Sequence, residues 1–253
     1  MLQDSEAIIL GTNTDVGDGM SSKSVCNELP GQPELQGVSI VALGSFNPAI
    51  FHPLWFSGNG LIRAEEATSS NVQIVHRDIT QFSTDWFSLH VLDERFCIET
   101  NDASMFQPLR DLVLGTFKIL EHCPVKSFGF NSHQHFQMPT VEAWHEFGHH
   151  YAPKASWEKV LLKPGMAGLT MQGEREGCQA KQIQIRIGPS SKIERGIFIT
   201  INEHYDVVSS AGGENGNTDV TNVDYFLEAM SNSWDPFLAY SKEVGCHLIK
   251  ESA

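Results

Sequence analysis

Two stretches of helical apolar spacing, each preceded by several strand-like runs, constrain the fold of this chain more than any other feature. In both stretches apolar residues recur every three or four positions, which places them on one face of a helix that must be buried against another layer. The sequence therefore predicts two long amphipathic helices, with Asp102 or Ser104 capping the first and Pro236 kinking the second. The two stripes are Leu109, Leu112, Val113, Phe117 and Leu120, and Val223, Phe226, Leu227, Met230, Trp234, Phe237 and Leu238.

Runs with strand character fill the intervals before each helix. Residues 86–92 and 95–99 are separated only by Asp93 and Glu94, and a two-residue polar link between such runs predicts a hairpin. Gly129 is a candidate bulge within a longer run. The other predicted strands cover residues 38–43, 72–79, 125–138, 165–171, 183–187 and 196–201.

These elements predict an α+β protein in which an antiparallel β-sheet packs with the two long amphipathic helices. A strands-then-helix unit occurs twice, which is compatible with a pseudo-duplication, although the two halves differ in sequence. Residues 1–36 are polar and turn-rich and are predicted to be a flexible leader. Residues 37–253 are predicted to form a single domain, with a division into two intimately packed halves, 37–155 and 156–253, left open. Residues 209–222 are rich in Gly, Asn and Ser and are predicted to be a loop.

The net charge of the chain limits which classes of macromolecule it can bind. The 253 residues include 17 Lys and Arg and 31 Asp and Glu, which gives a formal net charge of −14. Without a Lys- or Arg-rich run, such a chain has little attraction for a phosphate backbone or for anionic lipid. We therefore expect neither nucleic acid nor a membrane as a partner. A basic protein partner suits this charge, and a homo-oligomer is compatible with it.

The cysteines and the N-terminal residues indicate a cytoplasmic location. The five cysteines, Cys26, Cys97, Cys123, Cys178 and Cys246, are scattered and contain no C-x-x-C pair. An odd, dispersed set is typical of a reducing compartment. The apolar run of residues 7–10 is too short for the core of a signal peptide.

Residues 145–150 read His-Glu-Phe-Gly-His-His and contain the H-E-x-x-H pattern. Residues four apart on a helix face the same way, so two imidazoles can share a zinc ion while the glutamate takes a proton from the bound water. The five residues resemble the motif of the zincin metallopeptidases. That resemblance implies a zinc-dependent hydrolase with His145 and His149 as metal ligands and Glu146 as the general base.

The context of the motif favours a different interpretation. A catalytic zinc needs a third protein ligand, and the extended metzincin pattern would have its third histidine where this chain has Ala155. On a helical projection Trp144, Phe147 and Tyr151 share one face, and the two histidines lie on the other. We therefore expect a surface helix that shows its histidines to water. A third ligand would have to come from elsewhere in the fold, with His204 as the best candidate and His133 and His135 as others.

A second resemblance covers more of the chain. From about residue 38 onward the layout is similar to that of uncharacterised bacterial proteins with two β-rich halves, each closed by a long helix. The segments that carry this resemblance are Phe46–Pro48, Phe51–Trp55, Gly129–Asn131, Ala152–Lys154 with Trp157, and Asn202–His204. It implies no catalytic role.

The sequence contains no complete catalytic set, no Gly-rich phosphate loop and no basic patch. We therefore expect a non-enzymatic protein-binding, regulatory or immunity-type protein of a bacterial system, with no cofactor. The alternative is a zinc-dependent metallohydrolase that uses His145, Glu146 and His149.

Overall fold

The computed structural model describes residues 31–207 and 222–252, and within them the chain forms one nine-stranded antiparallel sheet. Its strand order is β2-β3-β4-β5-β1-β6-β9-β8-β7. The strands β1 and β6 are central. On one side β5 pairs with β1 and is followed outward by β4, β3 and β2; on the other side β9 pairs with β6 and is followed outward by β8 and β7. The strands are β1 (Leu35–Gly44), β2 (Asn71–Val75), β3 (Ile79–Ser83), β4 (Ser88–Leu92), β5 (Arg95–Thr100), β6 (Val125–Gln137), β7 (Leu169–Gly173), β8 (Gln182–Pro189) and β9 (Gly196–Asp206).

Five α-helices accompany the sheet in the described part of the chain. They are α1 (Pro53–Gly58), α2 (Ala64–Ser69), α3 (Phe106–Ile119), α4 (Val141–Tyr151) and α5 (Asn222–Glu251), with short 3-10 helices at Pro48–Ile50 and Ala103–Met105. None of these helices is both long enough and apolar enough to cross a membrane. Neither predicted residue caps α3, because its N-cap is Met105 without a side-chain hydrogen bond; Asp102 instead caps the 3-10 helix Ala103–Met105 by accepting a hydrogen bond from the Ser104 amide at 2.9 Å.

The core lies between one face of the sheet and the two longest helices. Side chains alternate along a strand, so Ile40, Phe130 and Glu203, which are in register, share one face. On that face Phe130 packs edge-on against Trp234 of α5 at 5.3 Å, and Phe96 packs edge-on against Phe117 of α3 at 5.2 Å. We call it the core face, and the opposite face the open face.

The prediction of an antiparallel sheet in an α+β protein is confirmed, and two local predictions are wrong. Residues 72–79 are not one strand, because residues 76–78 form the turn between β2 and β3. Gly129 is not a bulge, since it pairs in regular register with Val41. A Cβ at Gly129 would lie 3.0 Å from the Glu203 carbonyl oxygen, so close backbone approach explains this glycine.

Residues 1–30 of the predicted leader lie outside the described residues, and of its described positions, 31–36, Leu35 and Gln36 belong to β1. The predicted loop at residues 209–222 also lies outside them, apart from Asn222 at the start of α5. The hairpin predicted across Asp93 and Glu94 is confirmed as β4 and β5.

Candidate functional site

Helix α4 carries the H-E-x-x-H motif and is held at one end of the sheet. Thr140 caps it by accepting a hydrogen bond from the Ala143 amide at 3.0 Å. Phe147 is fully buried. The Trp144 indole donates to the Gly196 carbonyl at 3.2 Å, and the Tyr151 hydroxyl donates to the Leu248 carbonyl at 2.8 Å. The helix is therefore anchored to β9 on one side and to α5 on the other.

The motif residues lie on the solvent side of this helix, as the helical projection predicts. His145, Glu146 and His149 are all exposed. The His145 ring rests edge-on against Trp144 at 5.0 Å. His149 Nε2 lies 3.2 Å from Lys154 Nζ, and because an ammonium only donates, Nε2 accepts this hydrogen bond. The Lys154 ammonium thus occupies one of the two His149 ring nitrogens through which a metal could bind.

Among the residues that the structure describes, none is placed as a third ligand beside these histidines. His204 Nε2 is 3.1 Å from Asp206, at the opposite end of β9 from Ile197, which is close to α4. Seven residues of strand separate His204 from Ile197, or roughly 23 Å at about 3.3 Å per residue. Within residues 31–207 and 222–252, no group of three His, Cys, Asp or Glu side chains is placed to hold a metal ion.

His133 and His135 lie on the opposite face of the sheet from Ile197, the β9 residue close to α4. Phe136 pairs with Ile197, so these two side chains share the core face. His133 and His135 are an odd number of positions from Phe136 and therefore lie on the open face.

A cavity of about 340 Å³ opens beside α4. Its apolar lining includes Trp144, Phe147, Met166 and Ile197, and its polar lining consists of His145, His149, Lys154, Glu158 and Lys163. Glu146 is not part of the lining. Such a volume is at the lower end of the range for small-ligand pockets and also accommodates one or two apolar side chains of a peptide.

Residues 157–162 form an exposed apolar segment at the edge of this cavity. The exposed fractions are 55% for Trp157, 72% for Val160, 54% for Leu161 and 93% for Leu162. Turns order the segment, since the Trp157 amide donates to the Lys154 carbonyl at 2.8 Å and the Leu161 amide donates to the Trp157 carbonyl at 2.8 Å. We call residues 157–162 the apolar segment.

The charge around the apolar segment is opposite to that of the whole chain. Residues 154–163 contain Lys154, Lys159 and Lys163 but a single carboxylate, Glu158. Because charges beyond about 8 Å are largely screened at physiological ionic strength, these local lysines dominate the potential that a docking group meets.

Sequence reasoning located α4 and its exposed histidines but missed the cavity and the apolar segment. A recognisable signal was present, because three large apolar residues, Val160 to Leu162, follow one another between Lys159 and Lys163 without strand alternation or a continuing helical stripe. No protein-family model matches this chain, and no curated protein matches its sequence.

Proposed function

We propose that this chain is a non-enzymatic protein-binding protein, of the regulatory or immunity type in a bacterial system. The observation that carries the proposal is the apolar segment, in which Leu162 is 93% exposed. Folded monomers rarely leave large apolar side chains clustered in water, and such clusters mark contact surfaces. The partner would cover Trp157 and Leu162 and insert an apolar side chain into the cavity beside α4.

The chemistry of this surface favours an acidic, amphipathic segment of the partner. Lys154 and Lys163 line the cavity beside its apolar floor, and Lys159 lies within the apolar segment. Carboxylates that flank an apolar anchor would find cations at the rim, which favours encounter and fixes the orientation of docking. The expectation of a basic partner rests on the net charge of −14. It stays a prediction for the surface outside the apolar segment and the cavity beside α4.

Two synthetic peptides test the proposal. Both carry a Trp and a Leu spaced for one helical face, one flanked by Glu and the other by Lys. We expect fluorescence anisotropy to show binding of the Glu peptide, weakened about tenfold or more by Leu162→Ser. Leu54→Ser is the matched control, because Leu54 is 62% exposed on α1 and remote from the apolar segment in the chain.

Photo-crosslinking in the host extends the test to the natural partner. A crosslinking residue at position 162 should capture one protein, and the purified partner should bind the Leu54→Ser variant better than the Leu162→Ser variant. Equal binding of both variants would overturn the proposal. A dimer in sedimentation that dissociates in Leu162→Ser would also overturn it, because the apolar segment would then join two copies of this chain.

A zinc hydrolase is the second candidate, because His145 and His149 line the same cavity. Metal content, measured on protein purified without a polyhistidine tag and compared with His149→Ala, tests it. Stoichiometric zinc that disappears in the variant would favour the hydrolase. Zinc absent after supplementation, with an unchanged melting temperature, would exclude it.

The proposal also includes a duplicated origin for the sheet. The units would be β1 to β5 closed by α3 and β6 to β9 closed by α5, with α3 and α5 as the two long amphipathic helices. The central antiparallel pairing of β1 with β6 supports it. The resemblance to bacterial proteins with two β-rich halves agrees with this layout, and the cytoplasmic location stays a prediction.

A further inference from the structure

A second cavity lies on the open face of the sheet, and among the described residues its lining shares Pro189 alone with the cavity beside α4. Its volume is about 590 Å³, and strands β6, β9 and β8 form its floor. Arg186, Thr200 and His133 stand in one cross-strand row within it. This volume lies within the usual range for small-molecule sites.

The charge of this cavity differs from that of the chain. Arg186 and Lys192 belong to its lining, which contains no Asp or Glu among the described residues, although the chain carries a net charge of −14. Glu99 of β5 and Asn131 of β6 both pair with Ser39 of β1. Because β1 lies between them, Glu99 and Asn131 are roughly 10 Å apart. A cavity lined by positively charged side chains and by no described carboxylate attracts an anion.

His135 contributes a donor without a partner to the lining. Ser190 Oγ accepts hydrogen bonds from the amides of Lys192 and Ile193, both at 3.0 Å, so the Ser190 hydroxyl proton is left to donate to His135 Nδ1 at 2.8 Å. The neutral His135 ring then carries its proton on Nε2, which is buried and has no hydrogen-bond partner among the described residues. A buried, unsatisfied donor favours the arrival of an acceptor.

His133, Asn131 and Asn202 also belong to the polar lining. Burial, Lys192 and His135 lower the pKa of His133 to about 4, so His133 is neutral at physiological pH. Asn202 Nδ2 donates to Asn131 Oδ1 at 2.7 Å, and Asn131 Nδ2 donates to Ser39 Oγ at 3.1 Å. This chain of hydrogen bonds fixes both amides before any ligand binds.

Phe198 gives the cavity an apolar, planar surface. Its half-buried ring lies 4.7 Å from the His135 ring, tilted by 34°. We propose that the open face binds a small organic anion, with its oxyanion group held by Arg186 and Lys192 and a planar group resting on Phe198. The proposal uses other residues than the protein-binding proposal and stands or falls independently of it.

Adenosine monophosphate is the test probe, because it joins an oxyanion to a planar ring, and inorganic phosphate and adenosine are its separate parts. NMR spectra of the histidine rings report binding at His133 and His135. We expect adenosine monophosphate to shift both rings and to raise the pKa of His133, since a bound anion offsets the effect of Lys192. Phosphate alone should bind more weakly at the same residues, and adenosine more weakly still.

Two charge-matched variants separate a site from general electrostatics. Arg186→Gln removes an exposed cation of the cavity, and Arg77→Gln removes one from the turn between β2 and β3, where the Arg77 side chain is 83% exposed. We expect Arg186→Gln to weaken the probe about tenfold and Arg77→Gln to leave it unchanged. No ring shift at millimolar probe, equal effects of both variants, or equal binding of adenosine would each overturn the proposal.

Discussion

Arg175 Nη2 lies 3.0 Å from Oε1 of Glu203, a carboxylate with no exposed surface on the core face of the sheet. The contact is an ion pair without hydrogen-bond alignment, because within the described part of the chain Glu203 Oε1 has no hydrogen-bond partner. The other carboxylate oxygen accepts a hydrogen bond from the Tyr205 hydroxyl at 2.7 Å. The Arg175 guanidinium also stacks over the Tyr240 ring at 4.3 Å. Arg175 thus links the segment before β8 to β9 and α5.

Replacing Arg175 by Met should destabilise the fold strongly. The change leaves a buried carboxylate without its counterion, and breaking a buried pair in this way costs about 3 kcal/mol. Urea unfolding of the variant measures the free energy. The double variant Arg175→Met/Glu203→Gln should recover part of the loss, because it removes the uncompensated charge. A single variant within about 0.5 kcal/mol of the parent would contradict the role of this pair.

Glu203 should also give the stability a defined pH dependence. Burial raises the pKa of Glu203 above its ordinary value of 4.5, despite the Tyr205 hydrogen bond and the Arg175 charge, which lower it. Between 4.5 and the raised value the folded state holds this proton more tightly than the unfolded state. The contribution of Glu203 to stability therefore falls as pH rises through that window and is constant above it.

Unfolding free energies measured across that window for the parent and for Glu203→Gln test the pH prediction. The variant should lose the downward slope that starts near pH 4.5. Glu99→Gln, which alters a carboxylate on the open face, should keep the slope. Parallel profiles for the parent and Glu203→Gln would show that Glu203 does not titrate differently in the two states.

Truncation should destabilise the protein strongly at Phe147, which lines the cavity beside α4, and hardly at Leu162, which belongs to the apolar segment. Phe147 has no exposed surface, so Phe147→Ala should cost about 3 to 5 kcal/mol through lost burial and a new void. Leu162 is 93% exposed, so Leu162→Ala should change the unfolding free energy by less than about 0.5 kcal/mol. Thermal and urea unfolding measure both. A large loss in Leu162→Ala would mean that the apolar segment supports the fold instead of a contact.

The sequence predicted most of the sheet because its strands alternate and one face is buried. Ile183 and Ile187 are buried on β8, and Leu109, Leu112 and Phe117 are buried on α3, as their spacing predicts. The turn at residues 76–78 was not predicted, because it contains no Gly, Asn or Pro and Asp78 is its single common turn residue.

The candidate sites were harder to predict because they depend on residues far apart in the chain. His133 and Arg186 share the open face only through the pairing of both strands with β9. The H-E-x-x-H spacing was visible, but the position of His204 at the far end of β9 is a property of the fold. The register and the order of the strands therefore decide which polar residues lie close together. Neither can be derived from the spacing of residues within one stretch of the sequence.

Arg195 should be a site where glycine stabilises this chain. Its φ is +52°, in the left-handed region that costs an L-residue about 1 to 2 kcal/mol. Arg195 is exposed, and its carbonyl accepts a hydrogen bond from the Met138 amide at 3.2 Å, which fixes the backbone in this turn before β9. Arg195→Gly should relieve the strain and, after the greater entropy of an unfolded glycine is subtracted, raise the unfolding free energy by about 0.5 to 1 kcal/mol.

Arg195→Ala is the matched control, because alanine removes the same charge but keeps Cβ and hence the strain. Thermal unfolding should place the melting temperature of Arg195→Gly above those of the parent and of Arg195→Ala. A melting temperature for Arg195→Gly at or below that of Arg195→Ala would contradict the prediction. It would show that removing Cβ at this turn brings no net stabilisation.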